Sequence, residues 1–321
     1  MKTRVLTAPE GLEQAAELLA AGELVALPTE TVYGLGGAAL NPCACARIFE
    51  TKERPLTDPL IVHLPDFQWL ERLAFPNRLA VRIAKTFWPG PLTLVLPRRD
   101  IVPDLATAGQ TTVALRMSAH PVFAEVSRIF GQPIAAPSAN RFGRISPTTA
   151  AHVLSELDGR IRLIIDGGPC RHGIESTILR VHEQGVEILR HGPITDERLS
   201  EFGIVAGDHA SVVAPGSMAS HYAPQTRLII SEELRSGLTE ALRAGFPART
   251  GFLLWTPCRQ ELEFSEYLSR GQDLQEAAAN LYGAMRRLDE ADLDLIVAEP
   301  VPEFGLGVAI MERLRKAAAR E

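Results

Sequence analysis

The sequence contains little lysine: only four of its 33 Lys and Arg residues are lysines. Arg binds carboxylate and phosphate groups through a planar fork of N–H donors, so a bias toward Arg is compatible with an anionic ligand. The codon composition of the host explains such a bias more simply. We therefore interpret an individual arginine only where a motif places it.

Cysteine is also scarce. The four cysteines are Cys43, Cys45, Cys170 and Cys258, and none of them forms a C-x-x-C pair. Such pairs are typical of zinc and redox sites, so the sequence argues against both. We expect buried free thiols and no metal site built from protein side chains.

Long hydrophobic runs are absent. No stretch approaches the roughly 18 consecutive apolar residues of a membrane span, and the opening MKTRVLTAPEG lacks the apolar core of a signal peptide. Hydrophobic residues make up 46% of the chain and charged residues 22%, as in an ordinary globular protein. We therefore expect a cytoplasmic protein that makes no membrane contact.

An excess of positive charge is absent too. The net charge is −6; residues 1–205 hold 21 basic and 22 acidic side chains, and residues 206–321 hold 12 and 17. Binding to a nucleic-acid backbone depends on excess cations. The charge balance therefore gives little support to the hypothesis that the chain is an RNA-binding module.

The sequence does contain a polar, glycine-rich stretch, Pro28–Gly36, which directly follows an apolar run at 24–27. The run predicts a short buried strand that ends at Pro28, because Pro cannot donate to a sheet ladder. Gly34, Gly36 and Gly37 predict a sharp turn or a close approach of the backbone to a ligand. The hydroxyls and the carboxylate of this stretch suit a small polar ligand.

Polar residues recur at the ends of predicted strands throughout residues 1–200: Thr31, Arg116, Ser138, Ser176 and Arg190. Open α/β sheets bind ligands at strand ends, so this recurrence predicts a ligand site. Ser146-Pro147 also predicts the start of a helix that runs to about Leu157, with Ser146 as its N-cap. A helix start of this kind could hold a phosphate.

The last third of the chain alternates between predicted strands and helices from residue 227 to 319. Such alternation predicts a small parallel sheet with right-handed crossovers. The preceding segment is rich in Gly, Ala and Ser and predicts an interdomain linker. This second domain shows no cluster of catalytic groups.

Nine blocks in order resemble the YrdC-like threonylcarbamoyl-AMP synthases, in the longer form with a linker and a C-terminal domain. The blocks are PTETVYGLG at 28–36, KERPLTDPLIVH at 52–63, WPGPLTLVL at 88–96, TVALRMSAHP at 112–121, PIAAPSANRFGRISPT at 133–148, IIDGG at 164–168, GIESTI at 173–178, LRHGPI at 189–194 and PGSMASHYAP at 215–224.

The resemblance implies an α/β fold: a twisted, open mixed sheet with a deep, positively charged cavity, and a smaller Rossmann-like C-terminal α/β domain. It implies a catalytic domain at 1–204, a linker or lid at 205–225 and the second domain at 226–321. The implied reaction condenses L-threonine, bicarbonate and ATP, with Mg²⁺, to threonylcarbamoyl-AMP and pyrophosphate. A separate tRNA-modifying transferase complex then uses this product on tRNAs reading ANN codons, and tRNA contact by the chain itself is possible.

The resemblance also assigns residues. The implied threonine pocket uses Thr31, His63, Arg116, Ala136 and Ser176. The implied ATP pocket uses Lys52, Arg54, Asp58, Thr112, Ser138, Asn140, Ser146, Arg190, His221 and Tyr222. Lys52, Arg54 and Arg116 are the implied catalytic residues, and the family often has Asn where this chain has Asp58.

Two other readings stay open at this point. One is a carbamoyl-transferring enzyme of the same fold, such as the domain of hydrogenase-maturation carbamoyltransferases, although those carry cysteine-rich zinc modules. The other is the RNA-binding module.

Overall fold

The computed structural model describes residues 2–205, 221–236, 245–257 and 262–319, and these residues form two compact units. The first unit contains residues 2–142, 147–171 and 175–205. The second unit contains the short segments 143–146 and 172–174 together with the described residues from 221 onward. Most of the predicted linker at 205–225 lies outside the described residues, and so does Cys258.

The first unit is built on a mixed sheet with ten strands among the described residues, in the order β1-β8-β2-β3-β7-β4-β6-β5-β9-β10. It contains both parallel pairs, such as β1 with β8, and antiparallel pairs, such as β2 with β3, so the predicted mixed sheet is confirmed. The strands are β1 (Arg4–Thr7), β2 (Val25–Leu27), β3 (Gly34–Ala38), β4 (Ile61–His63), β5 (Leu92–Pro97), β6 (Thr112–Arg116), β7 (Ile134–Ala135), β8 (Leu163–Asp166), β9 (Thr177–Val181) and β10 (Val186–Arg190).

Helices of the first unit cover this sheet and bury an apolar core around Leu35, Ile48 and Leu94. They are α1 (Leu12–Ala20), α2 (Pro42–Lys52), α3 (Trp69–Leu73), α4 (Arg78–Phe87), α5 (Asp104–Thr107), α6 (Pro121–Phe130), α7 (Ala150–Leu157) and α8 (Asp196–Leu199). Local sequence sets both ends of helix α2. The Asn41 side chain caps its start, and Glu53 in the left-handed region (φ 56°) ends it two residues before Pro55.

The glycines at 34–37 form a strand, so the predicted turn is wrong. Strand β3 pairs antiparallel with β2, with Val25 opposite Gly36 and Leu27 opposite Gly34. None of these glycines has a positive φ. A Cβ on Gly37 would lie 2.9 Å from a Leu24 methyl, and one on Gly34 would lie 3.1 Å from the Cβ of Ala136. Glycine is needed here because neighbouring side chains occupy the space, not because the chain turns.

The predicted helix start at Ser146 is also wrong. Helix α7 begins at Ala150, and the Thr149 side chain caps it by accepting from the backbone N–H of His152. The carbonyl of Pro147 accepts from Tyr33, and that of Thr148 accepts from Cys170. Because distant backbone groups already use these two carbonyls, the first helical turn forms three residues later.

The second unit contains the predicted small parallel sheet, in the order β11-β14-β12-β13 among the described residues. Its elements are β11 (Leu228–Ile230), β12 (Thr250–Leu254), β13 (Ser265–Tyr267), β14 (Leu295–Ala298), α9 (Leu274–Asp289) and α10 (Leu306–Ala318). The buried carboxylate of Glu299, just after β14, accepts from the backbone N–H groups of Trp255 and Thr256 at 2.8 Å each. It thereby ties together the carboxyl ends of two adjacent strands.

The thiols follow the prediction in part. Cys45 and Cys170 are buried and free, whereas Cys43 is exposed, contrary to the expectation of burial. Cys43 is the second residue of α2 and lies in its first turn. In the described part of the chain, no helix has both the length and the apolar character that crossing a bilayer requires.

Candidate functional site

A buried ion pair lies where β6 ends. The guanidinium of Arg116 donates to the carboxylate of Glu30 at 2.7 Å, and both side chains are almost fully buried. The other oxygen of Glu30 accepts from the hydroxyl of Ser118 at 2.5 Å and from the backbone N–H of Ala119 at 3.2 Å. The Nε of Arg116 is buried and has no hydrogen-bond partner among the described residues. A ligand carboxylate could therefore complete this group.

The charge on Glu30 is secured by its partners. Burial alone would raise the pKa of this carboxyl group, but the charge of Arg116 and the hydrogen bonds from Ser118 and Arg116 outweigh burial and lower the pKa from 4.5 to about 2. Glu30 is therefore ionised at neutral pH. The pair holds Arg116 in one orientation.

His63 lies beside Arg116 because β4 and β6 are parallel neighbours with these two residues in register. Its ring packs against that of Phe123, with 4.5 Å between the centroids. Burial and the charge of Arg116 lower the pKa of His63 from 6.5 to about 3, against a smaller opposing effect of Glu30. The imidazole is thus neutral, and its Nδ1 has no hydrogen-bond partner within the described part of the chain.

A second buried polar group connects three strand ends. The hydroxyls of Thr93 and Ser176 lie 2.8 Å apart. Arg190 donates to the Ser176 hydroxyl at 3.1 Å and to its carbonyl at 3.0 Å. Thr93 is also the register partner of Arg116 across β5 and β6. The strand order β4-β6-β5-β9-β10 therefore brings the predicted residues into one part of the sheet. These residues are His63, Arg116, Ser176 and Arg190.

Lys52 ends α2 with a fully buried ammonium group. Its Nζ donates to the carbonyls of Ser138 and Asn140, at 2.5 Å each. Its own carbonyl accepts from the backbone N–H of Phe142 at 2.7 Å. Burial and the nearby charge of Arg54 hold the pKa of Lys52 well below its usual range, while Asp58 partly opposes them. Lys52 thus joins the Ser138–Asn140 loop to the end of α2.

Arg54 is paired with Asp58 in a buried ion pair, with 2.9 Å between the closest nitrogen and oxygen. The same guanidinium donates to the carbonyls of Asp58 at 3.0 Å and Pro59 at 2.7 Å. These contacts close the turn between α2 and β4. The carboxylate at position 58 thus binds a protein cation.

Thr31 is placed by its neighbour Thr29. The Thr29 hydroxyl accepts from the backbone N–H groups of Thr31 at 3.1 Å and Val32 at 3.2 Å, and the two threonine hydroxyls lie 2.8 Å apart. Ala136 follows β7, and its N–H donates to the carbonyl of Ile61 at 2.9 Å. Both Thr31 and Ala136 are buried.

Thr112 lies apart from the Arg116 group. It begins β6, whereas Arg116 ends that strand. Four steps of a strand span about 13 Å. Thr112 therefore lies at the opposite end of β6 from the Glu30–Arg116 pair.

The other three predicted ATP residues belong to the second unit. Ser146 is fully buried, and its hydroxyl has no hydrogen-bond partner among the residues described. His221 and Tyr222 are buried with their rings in contact, 4.1 Å between centroids. The backbone of Tyr222 lies in the left-handed region, with φ of 64°.

Glu30, Ser118 and Thr93 are not among the site residues predicted from the sequence. Glu30 contacts Arg116, Thr93 contacts Ser176, and Ser118 contacts Glu30. A signal for Glu30 was present, because a carboxylate directly after a buried strand must find a cation or a ring of donors. Ser118 and Thr93 carried no signal in the sequence, since their contacts depend on strand register.

Metal-ligating side chains do not gather here. Nowhere in the described ranges do three or more His, Cys, Asp or Glu side chains come together in a way that could hold a metal ion.

Two family models cover nearly the whole chain. The Sua5/YciO/YrdC model, described as "Telomere recombination", matches residues 17–192. The model described as "Threonylcarbamoyl-AMP synthase, C-terminal domain" matches residues 192–319.

Similar proteins carry the same description. The threonylcarbamoyl-AMP synthase of Pyrococcus abyssi is 43% identical over 319 residues, which cover 94% of this chain and 92% of that protein. The threonylcarbamoyl-AMP synthase of Bacillus subtilis is 43% identical over 322 residues, which cover 96% of this chain and 92% of the relative.

Solved structures of other proteins are similar to this chain as well. Sua5 of P. abyssi complexed with L-threonine matches with a TM-score of 0.90 and 38% identity, covering 98% of both chains. YciO of E. coli matches 59% of this chain with a TM-score of 0.52 and 20% identity, a likeness of fold alone.

Proposed function

Because this chain belongs to the threonylcarbamoyl-AMP synthases of the Sua5/YciO/YrdC family, we propose that it condenses L-threonine, bicarbonate and ATP into threonylcarbamoyl-AMP and pyrophosphate. The observation that carries this proposal is the likeness, over the full length of both chains, to a Sua5 structure complexed with L-threonine. The buried polar groups at the strand ends of the first unit supply the chemistry that such a reaction needs.

L-Threonine is held by the group around Arg116. The substrate carboxylate accepts a hydrogen bond from the Nε–H of Arg116, which has no other partner among the described residues. Glu30 prevents the guanidinium from turning away. The neutral His63 offers Nδ1 as an acceptor to the hydroxyl or amine of the substrate. Thr31, Ala136 and Ser176 complete the pocket.

ATP is held by the residues that surround Lys52. An ammonium group has three donors, and two of those of Lys52 go to the carbonyls of Ser138 and Asn140. The third donor is available for a phosphate oxygen. Arg54 and Arg190 add positive charge, and Asp58 holds Arg54 in place before the nucleotide arrives. Thr112, Ser146, His221 and Tyr222 are the other proposed ATP contacts.

The reaction proceeds in two steps. The amine of threonine attacks bicarbonate, and loss of water gives a carbamate. A carbamate oxygen then attacks the α-phosphorus of ATP in line, the bond to the β-phosphate oxygen breaks, and pyrophosphate leaves. No covalent enzyme intermediate is needed, because orientation and fixed positive charge lower the barrier. Lys52, Arg54 and Arg116 act by holding the reacting groups in place and offsetting their charge.

Mg²⁺ accompanies the nucleotide in this proposal. The described residues offer no cluster of three ligating side chains, and the carboxylate of Asp58 is paired with Arg54. The ion would thus be held chiefly by phosphate oxygens and water. The protein supplies the surrounding N–H donors.

The product is chemically an activated acyl donor, and we propose that a tRNA-modifying threonylcarbamoyl transferase complex in the cytoplasm consumes it on tRNAs reading ANN codons. Direct contact of this chain with tRNA is a further possibility within this proposal. The deep positively charged cavity implied by the resemblance and the division into a catalytic domain, a lid and a C-terminal domain also belong to it.

The test is pyrophosphate release from ATP and bicarbonate by the purified protein. L-Threonine is omitted in one arm and replaced by L-serine, which lacks the methyl group, in another. We expect release that depends on L-threonine and is weaker with L-serine. Release from ATP when carbamoyl phosphate replaces both bicarbonate and L-threonine would favour the carbamoyl-transferring alternative, and RNA binding without release would favour the RNA-binding one.

A further inference from the structure

One face of helix α9 contacts three separate chain segments of the second unit. The residues involved are Ala278 and Ala279, Tyr282, and Arg286. They are spaced by three or four positions and so lie along one stripe of the helix. Each turn of the stripe touches a different segment.

The first turn packs against Gly173. A Cβ on this glycine would lie 2.5 Å from the carbonyl oxygen of Ala278 and 2.5 Å from the Cα of Ala279. The φ of Gly173 is +69°, which side-chain-bearing residues rarely adopt. The segment 172–174 thus touches the helix backbone itself, three residues before Ser176.

The second turn packs against Tyr222. The rings of Tyr282 and Tyr222 are stacked with 5.7 Å between their centroids. The guanidinium of Arg313, on α10, lies 5.7 Å from the centroid of Tyr222. These contacts accompany a Tyr222 backbone in the left-handed region (φ 64°), a conformation that a residue with a side chain rarely adopts.

The third turn holds the loop at 143–146. The buried guanidinium of Arg286 donates to the carbonyl of Ile145. The other side of this loop is fixed by Ala223, whose N–H donates to the carbonyl of Gly143 at 2.9 Å. Ser146 follows directly and presents a fully buried hydroxyl with no hydrogen-bond partner in the described residues. Buried polar atoms without a partner are rare in folded proteins, and a bound ligand or an ordered water would supply the partner that Ser146 lacks.

We propose that Arg286 is a positioning residue for the nucleotide: it fixes the loop at 143–146 so that the Ser146 hydroxyl meets the bound ATP. The proposal rests on the function proposed above, which assigns Ser146 to ATP. It gives the C-terminal part of the chain a definite role, because α9 sets the position of an ATP contact that lies about 140 residues earlier in the sequence.

The test compares kinetic constants of pyrophosphate release for four variants. Arg286→Met removes the donor to Ile145 and keeps a long, apolar side chain. Arg287→Met is the matched control, because Arg287 is the next residue on the helix, half exposed and paired only with surface Glu266 in the contacts described. Ser146→Ala and the double variant Arg286→Met/Ser146→Ala complete the set.

We expect Arg286→Met to raise the KM for ATP at least about tenfold, since small displacements of a binding group are costly. The KM for L-threonine should change by less than about twofold. Arg287→Met should match the wild type. The double variant should be no worse than the more damaged single variant, because both changes remove the same contact.

An unchanged KM for ATP in Arg286→Met, or an equal rise for both substrates, would overturn the proposal. So would an unchanged KM for ATP in Ser146→Ala, because the loop would then carry no nucleotide contact. If Arg286→Met does not fold, Arg286→Lys keeps one donor to the Ile145 carbonyl and should give an intermediate KM for ATP. Failure of the wild type to release pyrophosphate with L-threonine would instead overturn the proposed function itself.

Discussion

Glu30 and Arg116 form the buried ion pair on which the proposed threonine site depends. Breaking such a pair from one side leaves an uncompensated buried charge and costs about 3–5 kcal/mol. The pair therefore stabilises the first unit and orients the proposed carboxylate ligand at the same time. Selection for binding and for folding would act on the same two side chains.

The pKa of Glu30 predicts how its contribution to stability varies with pH. Its folded value of about 2 lies below the ordinary 4.5, so the stabilisation is fully present above about pH 4.5 and is lost as the pH falls toward 2. The shift corresponds to about 3 kcal/mol. We expect the difference in unfolding free energy between the wild type and Glu30→Gln to be largest near neutral pH and to shrink by that amount in acid.

Urea denaturation at a series of pH values measures this difference. Glu125→Gln is the control. The hydrogen bond from Arg128 also lowers the pKa of Glu125, but solvent screens this surface pair, so Glu125→Gln should change the pH dependence much less than Glu30→Gln does. A difference between wild type and Glu30→Gln that stays constant from neutral pH to acid would show that Glu30 is not the ionised partner of Arg116.

At the scale of single elements, the start of α7 is set by Thr149 and not by Ser146. Replacing an N-cap threonine by alanine costs about 1 kcal/mol. We expect Thr149→Ala to lower the free energy of unfolding by that amount in urea denaturation. Ser146→Ala should cost clearly less, since its hydroxyl has no partner among the described residues. A larger loss in Ser146→Ala would mean that Ser146 caps the helix after all.

The elements that local sequence determines were predicted correctly. Strand β2, which ends at Leu27 just before Pro28, and the parallel sheet after residue 227 follow from patterns within one or two dozen residues. Strand β3 was missed because its glycines are fixed by contacts with Leu24 and Ala136 and not by a turn. The start of α7 was missed because Tyr33 and Cys170, far away in sequence, use the carbonyls of Pro147 and Thr148.

At the scale of the whole molecule, the family was recognised correctly from nine motifs, and the site residues that it implies stay predictions. The protein partners of each residue could not be predicted from the sequence. Glu30 and Arg116 are 86 positions apart, and Arg286 and Ile145 are 141 apart. Such pairs depend on strand order and on how the units are assembled from separate chain segments. The residue types indicated which kinds of chemical group the chain contains. Only the fold showed which of these groups contact one another.

The most direct test of the central claim is mass spectrometry of the adenylate formed from ATP, L-threonine and ¹³C-labelled bicarbonate. If the chain is a threonylcarbamoyl-AMP synthase, the product has the mass of threonylcarbamoyl-AMP, it carries the heavier carbon in its carbamoyl group, and it disappears when L-threonine is omitted. An adenylate without the label, or no adenylate alongside a folded protein that binds ATP, would contradict the account.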